Sequence, residues 1–391
     1  MSLDANLAEA YEAAGLLATM RGTESDLLEA ESFLRRAIAL NPSLVNARSW
    51  LSTALQTMNR KQEAMEVLEE AIRIDPLNGV MNLNLGKRYQ EDGQLDRARA
   101  QMERAMRFPD TGAYGWFWIA DLETTRGHYD RALQFMKNAT LNGGFDNELY
   151  QWHAGVIAVY YARLGVIDQA RVWQEHYNMP EVTDWHFSQD YNFAIATDDR
   201  PALRKLMEQH QQIVSASNRP LSLMLRSTLG RLAARLGDYE KSIELLAPIF
   251  EGDWTYQNAP GGGQDTVDTL LFYAVSLQKT GRGALAESLL QTALERLQAD
   301  YAGATALPAI VPVRQALIYS LLGDYDTAIE NFRRGVEAGW RDSFVVSGNP
   351  CWDELRHDEE FQRLLKLIND DLSAQRDKVR VSEQLQPFLP R

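Results

Sequence analysis

The sequence predicts an all-α superhelical solenoid of about nine helix-turn-helix units, followed by a C-terminal capping helix. Three observations lead there. The stretch AMEVLEEAIRIDPLN at 64–78 repeats, 34 residues on, the pattern of AESFLRRAIALNPSL at 30–44. In each, alanine, a large apolar residue and alanine fall at i, i+4 and i+7, which is one stripe of a helix. Glycine and proline then recur at the same period as punctuation. One such hairpin cannot bury its apolar face alone, so the copies must stack.

The columns justify each element. Ala64, Ala98 and Ala132 share one column, and Ala71, Ala105 and Ala139 another. Leu68, Met102 and Met136 lie between them. Alanine lets a neighbouring helix approach closely, and the large residue fills the groove. Upstream, Leu51, Leu85 and Ile119 are each followed by a small residue, Ser52, Gly86 or Ala120. Gly93, Gly127 and Gly165 fall where a first helix ends in a left-handed residue. Asp96 and Asp130 fall at the start of a second helix, where they can cap it or face its positive dipole end. Pro42, Pro76 and Pro109 stop the second helices.

Each unit is helix, tight turn, helix, proline, and this resembles the tetratricopeptide repeat. NLNLGKRYQEDGQLDRARAQMERAMRFP (82–109) and WFWIADLETTRGHYDRALQFMKNA (116–139) carry the resemblance. The family pattern is W-x2-L-G-x2-Y, then A-x3-F-x2-A, then P. Asn82 stands where an aromatic residue is usual, and Glu123 where tyrosine is. The resemblance implies a right-handed superhelix whose concave surface binds protein partners.

A first unit covers about 8–42, and units two to four follow over 45–146. A fifth, about 151–180, keeps Ile157, Ala158, Tyr161, Gly165 and Ala170, but Gln174 and Tyr177 break its second stripe. The sixth, about 183–214, is irregular, with Asp198-Asp199 before Pro201 reading as a helix start. Regular units return at 225–250, 270–297 and 312–339. Gly- and Pro-rich loops are expected at 251–265 and 300–308. The chain thus divides into 1–180, 181–339 and a capping segment with tail, 340–391. In the cap, Leu364, Leu365 and Leu367 are expected on one side and charges on the other. Through Trp340, Pro350, Leu355, Asp358, Phe361 and Leu364 this end also resembles the tail of repeat arrays in bacterial adenylate cyclases and winged-helix regulators.

By that resemblance, the second, fifth, ninth and twelfth residues of a unit point into the groove. They are Asn46, Ser49, Thr53 and Gln56 in unit two, with Leu83, Lys87 and Gln90 in unit three. Unit four gives Tyr114, Phe117, Asp121 and Thr124, and Trp152 follows in unit five. Aromatic anchors beside amides suit an extended peptide or a partner helix. Packing of the junction into unit five is an equal account of Tyr114, Phe117 and Trp152. The basic clamp of repeat domains that hold chaperone C-termini is absent: Ser49, Thr53, Asn84, Tyr114 and Trp118 occupy its places.

Composition narrows the function. The chain has 391 residues and a net charge of -14, which disfavours phosphate backbones and hence nucleic acid. No apolar run approaches the roughly 18 residues that cross a bilayer. The single cysteine, Cys351, excludes a disulfide framework and suits a cytoplasmic location. His153, His176 and His186 have no zinc spacing, and no phosphate loop or nucleophile elbow is present. No catalytic residue, metal or cofactor is therefore expected. The leading reading is a non-catalytic protein-interaction scaffold. A ligand-sensing regulatory segment serving a separate effector is the alternative, and an enzyme ranks last.

Overall fold

The computed structural model describes residues 7–21, 24–108, 111–142, 147–177, 184–216, 221–250, 264–302, 306–385 and 388. The described residues are helical, with no strand among them. They form two compact units.

The first unit, 1–122 with 254–263 and 300–306, is built from α1 (Ala8–Arg21), α2 (Glu24–Leu40), α3 (Val45–Thr57), α4 (Lys61–Ile74), α5 (Gly79–Glu91) and α6 (Leu95–Ala105), with most of α7 (Gly112–Thr125). Consecutive helices pack as hairpins, α1 on α2, α3 on α4 and α5 on α6. Every alanine in the two repeat columns is solvent-inaccessible, from Ala64 to Ala139. Leu68, Met102 and Met136 between them are equally buried. The small column has a steric cause: a Cβ on Gly86 would lie 2.7 Å from Cγ of Met102, too close for van der Waals contact.

Two polar departures from the repeat pattern are absorbed. Asn82 is fully buried. Its amide donates to the carbonyl of Asn78 at 2.7 Å and accepts from Gln101 at 2.6 Å. Both ends of the side chain are therefore satisfied, which is what a buried amide requires.

The second unit, 123–253, 264–299 and 307–391, holds α8 (Tyr129–Asn142), α9 (Asn147–Arg163), α10 (Ile167–Glu175), α11 (Asp184–Ala196), α12 (Arg200–Ala216), α13 (Leu223–Leu236), α14 (Tyr239–Phe250), α15 (Gln264–Lys279), α16 (Gly283–Asp300, whose last residue falls in the first unit), α17 (Ile310–Leu322), α18 (Tyr325–Glu337) and α19 (Glu359–Leu385). The second departure, Glu123, lies here. It is fully buried, with its carboxylate 3.1 Å from Nδ1 of His128 and 3.7 Å from the Arg131 guanidinium.

One residue with positive φ closes eight of the hairpins. They are Asn59, Gly93, Gly127, Gly165, Asp198, Gly237, Gly281 and Gly323. Six are glycine, which meets no Cβ penalty there. Asn59 (φ 58°) and Asp198 (φ 52°) take the same position with the side chains best able to tolerate it. The irregular sixth unit therefore keeps the turn geometry that its sequence obscures. Its second helix starts as expected, with Asp199 accepting from the Ala202 amide at 2.9 Å.

Of the two roles expected for Asp96 the structure selects the second: Gln94 holds the N-cap without a side-chain bond, and Asp96 lies in the first turn, facing the positive dipole end. One expectation needs correction. Leu367 is 48% exposed. The buried stripe of α19 runs Phe361, Leu364, Ile368, Leu372, Gln375 and Val379, since only steps of three and four stay on one helical face. Residues ahead of the capping helix pack along the second unit as well. Two 3-10 turns, Ser343–Val346 and Pro350–Leu355, pack on the first helices of the preceding hairpins. Helix α19 then packs on both α18 and α8. Pro109 and residues 251–263 lie outside the described residues.

Candidate functional site

The predicted groove residues of the first unit lie on α3, α5 and α7, the first helices of three successive hairpins. Side-chain rungs join these helices. Asn84 donates to Ser49 Oγ at 2.9 Å, Gln56 to Glu91 at 3.0 Å, and Gln90 to Asp121 at 2.8 Å. Thr53 turns its hydroxyl back to the carbonyl of Ser49 at 3.1 Å. These rungs repeat because equivalent positions of stacked helices face one another.

Lys87 sits among the rungs. Its ammonium stands 3.5 Å from the ring centroid of Trp118, a cation–π contact. Burial pushes the Lys87 pKa down, and the charges of Glu91 and Asp121 oppose that shift. Trp118 meets Phe117 edge-on, with centroids 5.1 Å apart. Phe117 and Trp118 are both half-buried, while Asn46 and Val80 are exposed. The face is thus polar and cross-linked along its middle, with an aromatic edge on α7.

The structure joins Thr53 to Ser49, Gln56 to Glu91 and Gln90 to Asp121, with Lys87 within the field of Glu91 and Asp121. Trp152 lies on α9 of the second unit, against the ring of His153 at 5.0 Å. The Tyr114 side chain lies outside the described residues. Sequence reasoning missed Glu91, whose position between rungs has no repeat signature. It placed Asn84 and Trp118 at clamp positions without seeing their bonds to Ser49 and Lys87.

In the second unit the first-helix face is covered by the chain itself. Arg235 of α13 donates to the carbonyls of Ser347 at 3.0 Å and Val345 at 3.1 Å. Arg356 holds the same segment from its other side, through Val346 and Asn349 at 2.8 and 2.9 Å. A run of Trp340, Pro350, Cys351, Trp352 and Leu355, dense in apolar residues after the last repeat, is the sequence signal for this burial. Burial pushes the Cys351 thiol up, so it stays protonated and inert.

No group of three or more His, Cys, Asp or Glu is placed to hold a metal among the described residues. His176 is exposed, and the His186 side chain lies outside the described residues. His153 is solvent-inaccessible, and desolvation pushes its pKa from 6.5 down to about 4. Between those values the unfolded chain binds the proton and the folded chain does not. Stability therefore falls as pH drops from 6.5 toward 4. The full loss is up to about 3 kcal/mol. Thermal melts across this range should show a steeper decline for the wild type than for His153→Gln, and parallel curves would contradict it.

Residues 45–76 and 313–338 match the family model of the tetratricopeptide repeat. They are the α3–α4 hairpin and most of the α17–α18 hairpin, one in each unit. The chain carries tetratricopeptide repeats. Such repeats form stacked arrays that in general serve as protein-interaction scaffolds. Human "Antiviral innate immune response effector IFIT1" is 28% identical over 85 residues, which is 22% of this chain and 18% of that protein's length. Among solved structures, Pseudomonas aeruginosa pilF aligns at 17% identity and a TM-score of 0.42, over 54% of this chain and 93% of its own. A human IFIT1 dimer with m7Gppp-AAAA aligns at 15% and 0.44, over 85% and 72%. The Cut9–Hcn1 tetramer of the APC/C aligns at 12% and 0.46, over 93% and 67%. At these identities no activity is carried over from any of them.

No described helix of this repeat array is long and apolar enough to cross a membrane.

Proposed function

We propose that the first unit is a non-catalytic docking face for an extended peptide or a partner helix, laid across α3, α5 and α7. The observation that carries this reading is the aromatic edge, Phe117 and Trp118 half-buried beside the Lys87 ammonium. A half-buried aromatic pair has apolar surface left to cover, and such residues anchor most protein interfaces. Asn46 and the polar rungs supply amide and carboxylate groups for a partner's backbone. The second unit, whose equivalent face holds residues 340–355, contributes no open groove of this kind.

The partner class is protein rather than nucleic acid, since a chain of net charge -14 repels phosphates. Affinity capture with the full chain should retain a partner that Phe117→Ala binds at least tenfold more weakly, with the helical circular-dichroism signal unchanged. Equal capture by the variant would remove the aromatic edge from the site. Tight, salt-dependent binding of an oligoribonucleotide would replace the partner class.

A further inference from the structure

A cavity of about 180 Å³ lies within the second unit, between its first-helix face and the returned segment. Its walls come from α11, α13, α15, α17 and residues 340–352. The volume is on the order of the ~150 Å³ that holds one benzene ring. Leu271, Phe272, Val313 and Leu317 form an apolar wall and are all buried.

The polar lining is unbalanced. Arg314 and Asp268 satisfy one another through two parallel bonds of 2.9 and 2.8 Å. Asp342 accepts from Tyr129 and lies 3.8 Å from Arg163. Both carboxylates in the wall are therefore matched. Arg231 and Arg235 are not: among the described residues neither has a carboxylate within ion-pair distance. Arg235 is only 8% exposed, and its acceptors are two neutral carbonyls. Arg231 has a single long bond, 3.5 Å to Thr228.

Four buried donors in the lining have no acceptor: Nε of Arg231, Nε of Arg235, and the indole Nε1 of Trp340 and of Trp352. Trp340 and Trp352 are 4% and 1% exposed. The orphans named are all donors. A buried donor without an acceptor and a buried charge without a counter-charge are both costly. A carboxylate offers about four lone-pair sites and one negative charge. It would answer both deficits, while its hydrocarbon would cover the apolar wall.

We propose that this cavity binds a small carboxylic acid with an apolar body, of the size of a single ring or a short acyl chain. The carboxylate takes the Arg231 and Arg235 guanidiniums and the two indole N–H groups. The body lies against Leu271 and Phe272. Because Trp340 and Trp352 belong to the returned segment, the bound acid ties that segment to α13 and α15. The site is separate from the docking face of the first unit, and neither reading depends on the other.

The test is isothermal calorimetry and thermal shift on the full chain with benzoate, phenylacetate and hexanoate. Benzamide, hexanamide and inorganic phosphate serve as counter-probes. The expected result is saturable binding of at least one acid, with a matching rise in melting temperature. The corresponding amide should bind at least tenfold more weakly. Arg231→Gln, which removes one long hydrogen bond to Thr228 and a guanidinium 5.7 Å from the Tyr191 ring centroid, should stay folded with close to the wild-type melting temperature and lose at least tenfold in affinity for the acid. Hydrogen exchange over residues 343–352 should slow on binding. No binding by any of the three acids would overturn the proposal. So would equal affinity for the amide or for phosphate, or an unaltered affinity in Arg231→Gln.

Discussion

Replacing Phe332 by alanine is expected to cost about 3–5 kcal/mol, the range for truncating a buried aromatic residue. Phe332 is fully buried. Its ring centroid lies 5.5 Å from Trp340, 5.3 Å from Trp352 and 4.8 Å from Phe361. It is the one ring in this group that comes from a repeat helix, α18. The other three come from the returned segment and α19. Its removal therefore opens a cavity at the junction that holds the C-terminal region onto the array. Calorimetry should show the melting temperature of the second unit lowered by roughly 10 °C. Hydrogen exchange should quicken over 343–355 and leave α3–α6 unchanged. A loss below about 1 kcal/mol would mean that the segment is held elsewhere.

The second large effect is at the far end of α19. Glu383 accepts from the Lys137 ammonium and, at 2.7 Å, from the Tyr161 hydroxyl. The Lys137 side chain is 9% exposed and that of Glu383 12%. Glu383→Ala leaves a buried ammonium and a buried phenol without their acceptor. Breaking such a pair from one side costs about 3–5 kcal/mol. The ceiling is the free energy for peeling the end of α19 from α8, since local opening relieves the stranded charge. Glu383→Gln keeps an acceptor oxygen and should cost clearly less. Urea unfolding of the three proteins, with exchange rates over 376–385, checks the order. Equal stability of alanine, glutamine and wild type would show the pair to be dispensable.

Much of the fold was legible because repetition multiplies a weak signal. Ala64, Ala98 and Ala132 are each uninformative alone, and together they fix which face of three helices is buried. The turn column was half legible. Glycine announces a left-handed residue, whereas Asn59 and Asp198 do the same work without announcing it. Leu367 was misplaced because three leucines in four positions look like one face, and a helix separates them by the angle between successive residues.

The candidate groove was legible as positions but not as chemistry. Counting along a unit gives Ser49, Gln56, Lys87, Gln90 and Asp121. That they bond across helices, to Asn84, to Glu91 and to one another, depends on stacking distance and rotamer. The path of residues 340–385 was legible only as an apolar run and a terminal cap, not as contacts. Gln375, 3% exposed, is bonded to the carbonyl of Gly127 at 2.7 Å and to the amide of Asp130 at 3.2 Å. Its partners lie about 245 residues away, beyond any periodic pattern.

The sequence by itself determined the repeating hairpin, its buried stripe and its left-handed turns, because these are local and every copy restates them. Tertiary structure alone decided that the chain folds its own end over the first-helix face of the second unit, with four donors left unanswered beneath it. That contact joins residues used once, so no periodicity marks it, and only packing of apolar surface selects it.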